Sequence, residues 1–349
     1  MSKSPRFERV LLTRLRFIGD VVLTTPIIKS IRQAFPDAHI AYLGELPAIS
    51  LLERNPYLDE LLTYDPNSTL IKRLSIYPLL RKRGFDLAID LFCNPRSALL
   101  TYATGAGVRV GAALRSRSWL YTHRVTDDGK AKSAIDFHAQ YLQAVGIPLV
   151  SRQTEIFLSE EERREARIYL QWQGIDFERP VVGLHPGASW PAKMWHAERF
   201  AELADLLIAK LGAQVVITEG PEERQLIEEI SHRCVGGIKV LHVLPLRQLA
   251  AVLSFIRVYV ANDSGPMHMA AAVGTRTVGI FGPGEEDIWF PYNRQDGHLV
   301  LRKDVWCHPC HLNACDKEGD EYMKCMKLLE TQEVFNAVRE RVETVVPCR

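Results

Sequence analysis

At 349 residues the chain is longer than one hydrophobic core usually supports, so two domains are expected. A hydrophobic fraction of 47% beside 24% charged residues is that of a globular protein, and the longest apolar run, LAAVLSFIRVYVA, is shorter than the roughly 18 residues of a membrane span and carries Arg257. The net charge of +1 hides an asymmetry: residues 1–150 hold 20 Lys+Arg against 13 Asp+Glu, and residues 151–349 hold 23 against 29, which gives the halves different partners or reflects an uneven spread of solvated faces.

The chain opens MSKSPRFERV, with no apolar signal core ahead of the first apolar run, so a cytoplasmic location is expected. Short runs rich in Val, Ile and Leu then alternate with helical patterns: RVLLTRL and PIIKSIRQAF, AHIAYLGE and AISLLERN, FDLAIDLF and RSALLTYATG. This is the cadence of βαβ units and a parallel sheet. Pro26 lies inside the first helical pattern, where its missing amide is tolerated only if the helix starts close by. Between the first strand and helix the chain reads FIGDVVLTTP, which sets Gly19 and Asp20 at the carboxyl end of a strand, where open α/β sheets keep their ligands. Asp20 either caps the helix or presents a carboxylate at the mouth of a cleft.

After LSEEERREARIYLQWQGIDFERP the cadence resumes: VVGLHPG, AERFAELADLLIAKLG, AQVVITEG, PEERQLIEEISHR, LRQLAAVLSF, IRVYVANDSG, PMHMAAAVG and TRTVGIFGP. Two α/β units would enclose a cleft with the carboxyl ends of both sheets facing it. In VANDSGPMHMAAAVG a strand ends in Asn262, Asp263, Ser264 and Gly265, and a helix of small residues starts at Pro266; its first amides make a phosphate site. In LHPGASWPAKMW, Lys193 lies four residues past the Ser189 hydroxyl, placed to neutralise a diphosphate or simply exposed. In ITEGPEERQ, Glu222 and Glu223 suit ribose hydroxyls, or serve as favourable acids at a helix start. No G-x-G-x-x-G or G-x-x-x-x-G-K-S/T follows any strand, so dehydrogenase and P-loop readings lose their main support.

Cys307, Cys310, Cys315 and Cys325 are spaced C-x2-C-x4-C-x9-C, with His308 and His311 interleaved. Such crowding suits a local structural role, a metal site, a disulfide or reactive thiols; a cytosolic compartment argues against a stable disulfide. Cys93, Cys234 and Cys348 read as isolated thiols. TQEVFNAVRERVETVV has helical spacing.

Taken together, FIGDVVLTTP, HPGASWPAKMW, ITEGPEE, NDSGPMHMAAAVGT and GIFGP resemble glycosyltransferase family 9, the ADP-heptose:lipopolysaccharide heptosyltransferases, over nearly the whole chain and in the same order. The resemblance implies an α/β GT-B architecture of two facing Rossmann-like domains with parallel sheets and a cleft. The expected division is an acceptor domain over 1–165, a nucleotide-sugar domain over 166–330, and a C-terminal helix over 331–349 packing back on the first domain. It implies Asp20 as catalytic base, Ser189, Lys193, Glu222, Asp263, Ser264, Gly265 and His268 as donor-binding residues, and ADP-heptose as donor. Ala188 stands where a second hydroxyl is sometimes found in the family. For the lipopolysaccharide core acceptor and an anionic inner-membrane surface, Arg96 and Arg109, with Arg115, Arg117 and the Arg81–Arg83 run, are the candidate contacts. No cofactor, no catalytic metal and no nucleic-acid partner are expected. The competing expectations are a GT-B transferase or epimerase using another nucleotide sugar, and a non-catalytic sugar-nucleotide or glycan-binding protein.

Overall fold

The computed structural model describes residues 7–114, 116–127 and 129–344; Arg115 and Cys348 lie outside them. The chain divides into two α/β units, the first ending at Phe157 and the second starting at Leu158. In the first unit the elements run β1 (Arg9–Thr13), α1 (Ile18–Leu23), α2 (Thr25–Ala34), β2 (His39–Gly44), β3 (Glu60–Thr63), α3 (Leu70–Lys82), β4 (Leu87–Asp90), α4 (Pro95–Ala103), β5 (Val108–Ala112), β6 (His123–Val125) and α5 (Ala134–Gln143). In the second they run α6 (Glu160–Trp172), β7 (Val181–His185), α7 (Ala197–Leu211), β8 (Gln214–Thr218), α8 (Arg224–Arg233), β9 (Lys239–Leu241), α9 (Leu246–Leu253), β10 (Val258–Asn262), α10 (Gly265–Ala272), β11 (Arg276–Ile280), α11 (Glu286–Trp289), β12 (Leu299–Leu301), α12 (Lys324–Lys327) and α13 (Thr331–Glu343).

Each unit is built on its own parallel sheet. The first has the order β3-β2-β1-β4-β5-β6 and the second β12-β11-β10-β7-β8-β9. These are the same doubly wound order, reversing direction between β1 and β4 and between β7 and β10. Helices cover both faces, which is why the strands are near-continuous apolar runs and not alternating ones. In the first unit Val10, Leu12, Ile40 and Ile89 enter one core while Leu11, Ala41 and Ala88 enter the core on the opposite face.

The break between α1 and α2 explains how Pro26 is accommodated. It stands in the first turn of α2, where no amide partner is needed. At the break, the Thr24 hydroxyl donates to Val21 O at 2.7 Å and meets the Tyr42 hydroxyl at 2.9 Å. The AISLLERN segment forms only a 3-10 turn over Ala48–Leu52, because Pro47 and Pro56 bracket it too closely for a longer helix.

Two expected boundaries are corrected. Ser159 and Glu162 form a reciprocal capping box that opens α6, and α6 packs on α9, so the second unit begins eight residues before the expected 166. The C-terminal helix belongs to the second unit and not to the first as expected. Val334, Phe335 and Val338 of α13 are buried in the core of the second, against α7, and the Trp195 indole N–H reaches Leu329 O at 3.1 Å just before the helix. Among the described residues no helix is long and apolar enough to cross a membrane.

An ionic contact adds to the packing of α6 on α9. Arg247 donates from Nε to Glu162 Oε1 and from Nη2 to Oε2, both at 2.7 Å, and this pairing holds the Glu162 carboxyl down at about 2. Because the folded value lies below the unfolded one, the stabilisation is fully present above pH 4.5 and is lost as the pH falls from there towards 2. Glu162→Gln is expected to lower unfolding stability by about 2 kcal/mol at neutral pH. In denaturant titrations the gap to the parent closes as the pH is lowered through that window; a gap independent of pH would show that the charge is not what matters.

Candidate functional site

In a doubly wound sheet the strand order reverses at one point, and the two flanking loops diverge there to leave a crevice at the carboxyl edge. The first unit places Asp20 at that point. The loop leaving β1 carries Phe17 at φ 72°, and the loop leaving β4 carries Cys93 at φ 54°. Both conformations cost a non-glycine residue roughly 1–3 kcal/mol, and both sit on the same edge. Asp20, in the first turn of α1, is held by Arg14, whose Nη2 lies 2.6 Å from Oδ1; the two side chains are 14% and 12% exposed. Arg14 is itself fixed, because Nη1 donates to Leu91 O at 2.8 Å and its guanidinium lies 4.6 Å from the centre of the Phe92 ring. The carboxylate is therefore aimed by an arginine that spans β1 and β4.

Arg96 and Arg117 share this edge. Arg96 enters α4 just after β4, pairs with Glu45 at 3.4 Å and lies over the Tyr64 ring. Burial pushes the Glu45 carboxyl up against the pull of Arg96. Arg117 donates to Cys93 O at 3.1 Å. The other arginines do not join them. Arg109 is the second residue of β5, paired with Ala88, and its guanidinium is spent on Leu120 O and Ala106 O at 2.9 and 2.6 Å. Arg81, Lys82 and Arg83 close α3 just before β4. All four stand at the amino edge of the sheet, away from Asp20, so the expected acceptor role of Arg109 and of the basic run is corrected by the direction of the strands.

The second unit builds its crevice from the loops leaving β7 and β10. Lys193 Nζ lies 2.6 Å from Asp263 Oδ2, with the side chains 15% and 8% exposed, so a buried-edge ion pair bridges the two loops. The ammonium also lies 4.5 Å from the Trp190 ring. Asn262, which the sequence pattern left as a strand end, fastens the same loops from below: its Nδ2 donates to Pro186 O at 2.7 Å and its Oδ1 accepts from Trp195 N at 3.1 Å. Ser264 caps α10 in an extended conformation, and its buried hydroxyl has no hydrogen-bond partner among the described residues. A buried polar atom left open beside a lysine and the amides of a helix start is a site prepared for an anionic oxygen.

Gly265 is the first residue of α10. His268 is buried and shares a 2.7 Å hydrogen bond with the Tyr292 hydroxyl; burial, then Lys193, pushes its imidazole down to about 3, so it is neutral and acts as a prop of the loop, not as a cation. Ser189 is exposed on the β7 loop. Of the two glutamates, Glu222 is exposed and Glu223 turns inward. Glu223 accepts from Gly220 N at 2.7 Å and stands 3.7 Å from His185 Nε2, and a Cβ at Gly187 would fall 1.7 Å from its Oε1. The glycine of HPGAS therefore makes room for the inward acid. Position in ITEGPEE alone does not separate the two; the i, i+3 bond back to Gly220 does.

Cys307, Cys310, Cys315 and Cys325 are free thiols, and among the described residues no three His, Cys, Asp or Glu side chains close into a metal-holding group. Cys315 accepts from Met323 N at 3.3 Å, and Cys315 and Cys325 pack against the core of the second unit. Burial, helped by the other three cysteines, pushes the Cys325 thiol up to about 11. The interleaved histidines face away to acids: His308 to Glu286 at 3.2 Å and His311 to Glu285 at 3.6 Å. Cys93 and Cys234 are engaged locally, the first by Asp90 O and the second by Asp205.

Residues 73–319 match the sequence profile of glycosyltransferase family 9 (heptosyltransferase). The lipopolysaccharide heptosyltransferase 3 of Escherichia coli K12 is 28% identical over 95% of this chain and 98% of its own length. A glycosyltransferase family 9 structure from Veillonella parvula superposes with a TM-score of 0.85 at 26% identity, covering 97% of this chain and 98% of that one. The E. coli heptosyltransferase WaaC with ADP-2-deoxy-2-fluoro heptose shares the fold, with a TM-score of 0.71 at 19% identity over 95% and 99% of the two chains. With more than two thirds of its length inside the family profile and the paired Rossmann-like units of a GT-B enzyme, this chain belongs to glycosyltransferase family 9.

Proposed function

We propose that the protein transfers a heptose from ADP-heptose to the inner core of lipopolysaccharide. One observation carries the donor half of this reading: Lys193 is locked to Asp263 across the strand-order reversal, beside the open Ser264 hydroxyl and the start of α10. That arrangement suits a diphosphate, and two of the relatives named above are heptosyltransferases, one of them solved with ADP-2-deoxy-2-fluoro heptose.

The reaction is a single displacement with inversion. An acceptor hydroxyl oxygen bonds to the anomeric carbon as the bond from that carbon to the diphosphate oxygen breaks, and ADP leaves with the electron pair. Asp20 takes the hydroxyl proton, its carboxylate oriented by Arg14. Lys193 and the first amides of α10 stabilise the charge growing on the diphosphate, the task a divalent ion performs elsewhere. Glu223, not the exposed Glu222, is the carboxylate set to meet the ribose. Arg96 and Arg117 supply cations for acidic sugars and phosphates of the acceptor.

Asp20→Ala is expected to fold and bind ADP as the parent does while kcat falls by about 10²–10⁴-fold; turnover within a factor of a few of the parent would remove Asp20 from the role of base. Lys193→Ala is expected to weaken ADP binding about tenfold, read by calorimetry in EDTA. Parent protein that binds UDP in preference to ADP, or whose transfer stops in EDTA and resumes with magnesium, would overturn the donor assignment or the metal-free mechanism respectively.

A further inference from the structure

The mechanism leaves the cysteine-rich stretch of the second unit without a task. From Arg302, just after β12, to Glu318 the chain forms neither helix nor strand. Loops longer than about 12–15 residues are uncommon inside a compact domain unless they serve a site. The far end of this one is firmly anchored. Cys315 and Cys325 pack on the core, Met326 and Leu329 are buried in it, and Cys315 Sγ accepts from Met323 N at 3.3 Å.

Backbone groups that a strand would pair with its neighbours are spent here on the loops of the donor crevice. Asn313 O accepts from Ala192 N at 3.0 Å, one residue before Lys193. His311 N donates to Pro283 O at 3.1 Å, in the loop leaving β11. His308 holds that same loop with its side chain, which is turned inward and only 12% exposed. Its Nδ1 donates to Gly282 O at 2.9 Å, the direction being fixed because a carbonyl only accepts, and its Nε2 faces Glu286 at 3.2 Å. Glu286 has a second partner in Arg302, whereas the bond to Gly282 reaches the backbone of the loop itself.

What these bonds hold is the ion pair of the donor crevice. A Cβ at Gly284 would fall 3.0 Å from Asp263 Oδ2 and 3.9 Å from Lys193 Cε, so the β11 loop lies directly against the pair. Lys193 itself ends a single 3-10 turn, Pro191–Lys193, which is too short to be rigid alone. The segment thus touches the pair from two sides, through the turn that carries Lys193 and through the loop that closes on Asp263. We infer that residues 302–318 form a strap that presets the donor site, and that His308 is the positioning residue by which the strap grips the β11 loop. Given the donor proposed above, preset loops leave less to be ordered when the diphosphate arrives. Losing the grip then costs affinity without removing any group that touches the ligand. Two of the four clustered thiols find their use here as well, since Cys315 and Cys325 are the apolar anchor of the strap.

Hydrogen exchange on the ligand-free protein tests the grip itself. In His308→Ala the amides of Ala192 and His311 are expected to exchange about tenfold faster, while those of β10 keep the parent rate. His308→Asn, whose side-chain amide can still donate to Gly282 O, should stay within about twofold of the parent. Calorimetry with ADP in EDTA then reads the consequence. His308→Ala should raise Kd about fivefold with the number of sites unchanged, and His308→Asn should restore it. Unaltered exchange at Ala192 and His311, acceleration that extends equally to β10, or an asparagine variant as impaired as the alanine one overturns the inference. So does a fall in the number of sites at constant Kd, the mark of a lost fold. A parent that binds no ADP would instead refute the proposed donor, and the exchange rates would still decide whether His308 holds the loops.

Discussion

A parallel sheet covered on both faces has no room for polar chemistry except at its ends. Side chains in β1, β4, β7 and β10 are committed to the two cores, so a residue that must meet solvent or ligand has to stand in a loop. The reversal of strand order then selects among the loops, because adjacent crossovers diverge at one place in each sheet. Asp20 in one unit, and Lys193 with Asp263 in the other, occupy the carboxyl edge at that place. Arg109 lies on the sheet whose carboxyl edge carries Asp20 and is excluded from its company by chain direction.

Both sites are charged pairs held at partial burial. Taking a lysine or an aspartate largely out of water is costly unless a partner is near, and each pair here is closed at 2.6 Å. Backbone bonds supply the rest: Leu91 O fixes Arg14, and the Asn262 amide fixes the loops that carry Lys193 and Asp263. An anionic ligand arriving beside Lys193 meets a cation already in position, so little ordering is left to be done at binding.

The fold was legible because its signal is periodic and long. Apolar runs alternating with helical spacing specify a parallel α/β sheet whichever residue a given element ends on, and Pro26 failed to mislead because a proline is harmless in a first turn. What the sequence hid was local and directional. Glu222 and Glu223 are neighbours with opposite fates, decided by a hydrogen bond to Gly220 and the space left at Gly187. Arg14 and Asn262 act through partners 77 and 76 positions away, Leu91 and Pro186, a separation no local pattern reports. The start of α6 was readable in principle, since Ser159 and Glu162 have capping-box spacing, but a charged segment between two α/β series resembles a solvated spacer until Arg247 is seen to grip it.

Charge is the property that whole-chain numbers conceal most thoroughly. A net charge of +1 would suggest indifference to charged surfaces, and even the excess of cations in the first half reads as an average. Much of the excess is lodged between residues 66 and 126, where Asp90 is buried and Lys72, Arg81, Lys82 and Arg124 are exposed while Arg83 and Arg96 are paired with Glu60 and Glu45. The mean hydropathy is similarly silent, since Ile71 and Trp119 count the same whether buried or not. Exposure of an apolar side chain and exposure of a charged one are both properties of position, and neither whole-chain number carries them.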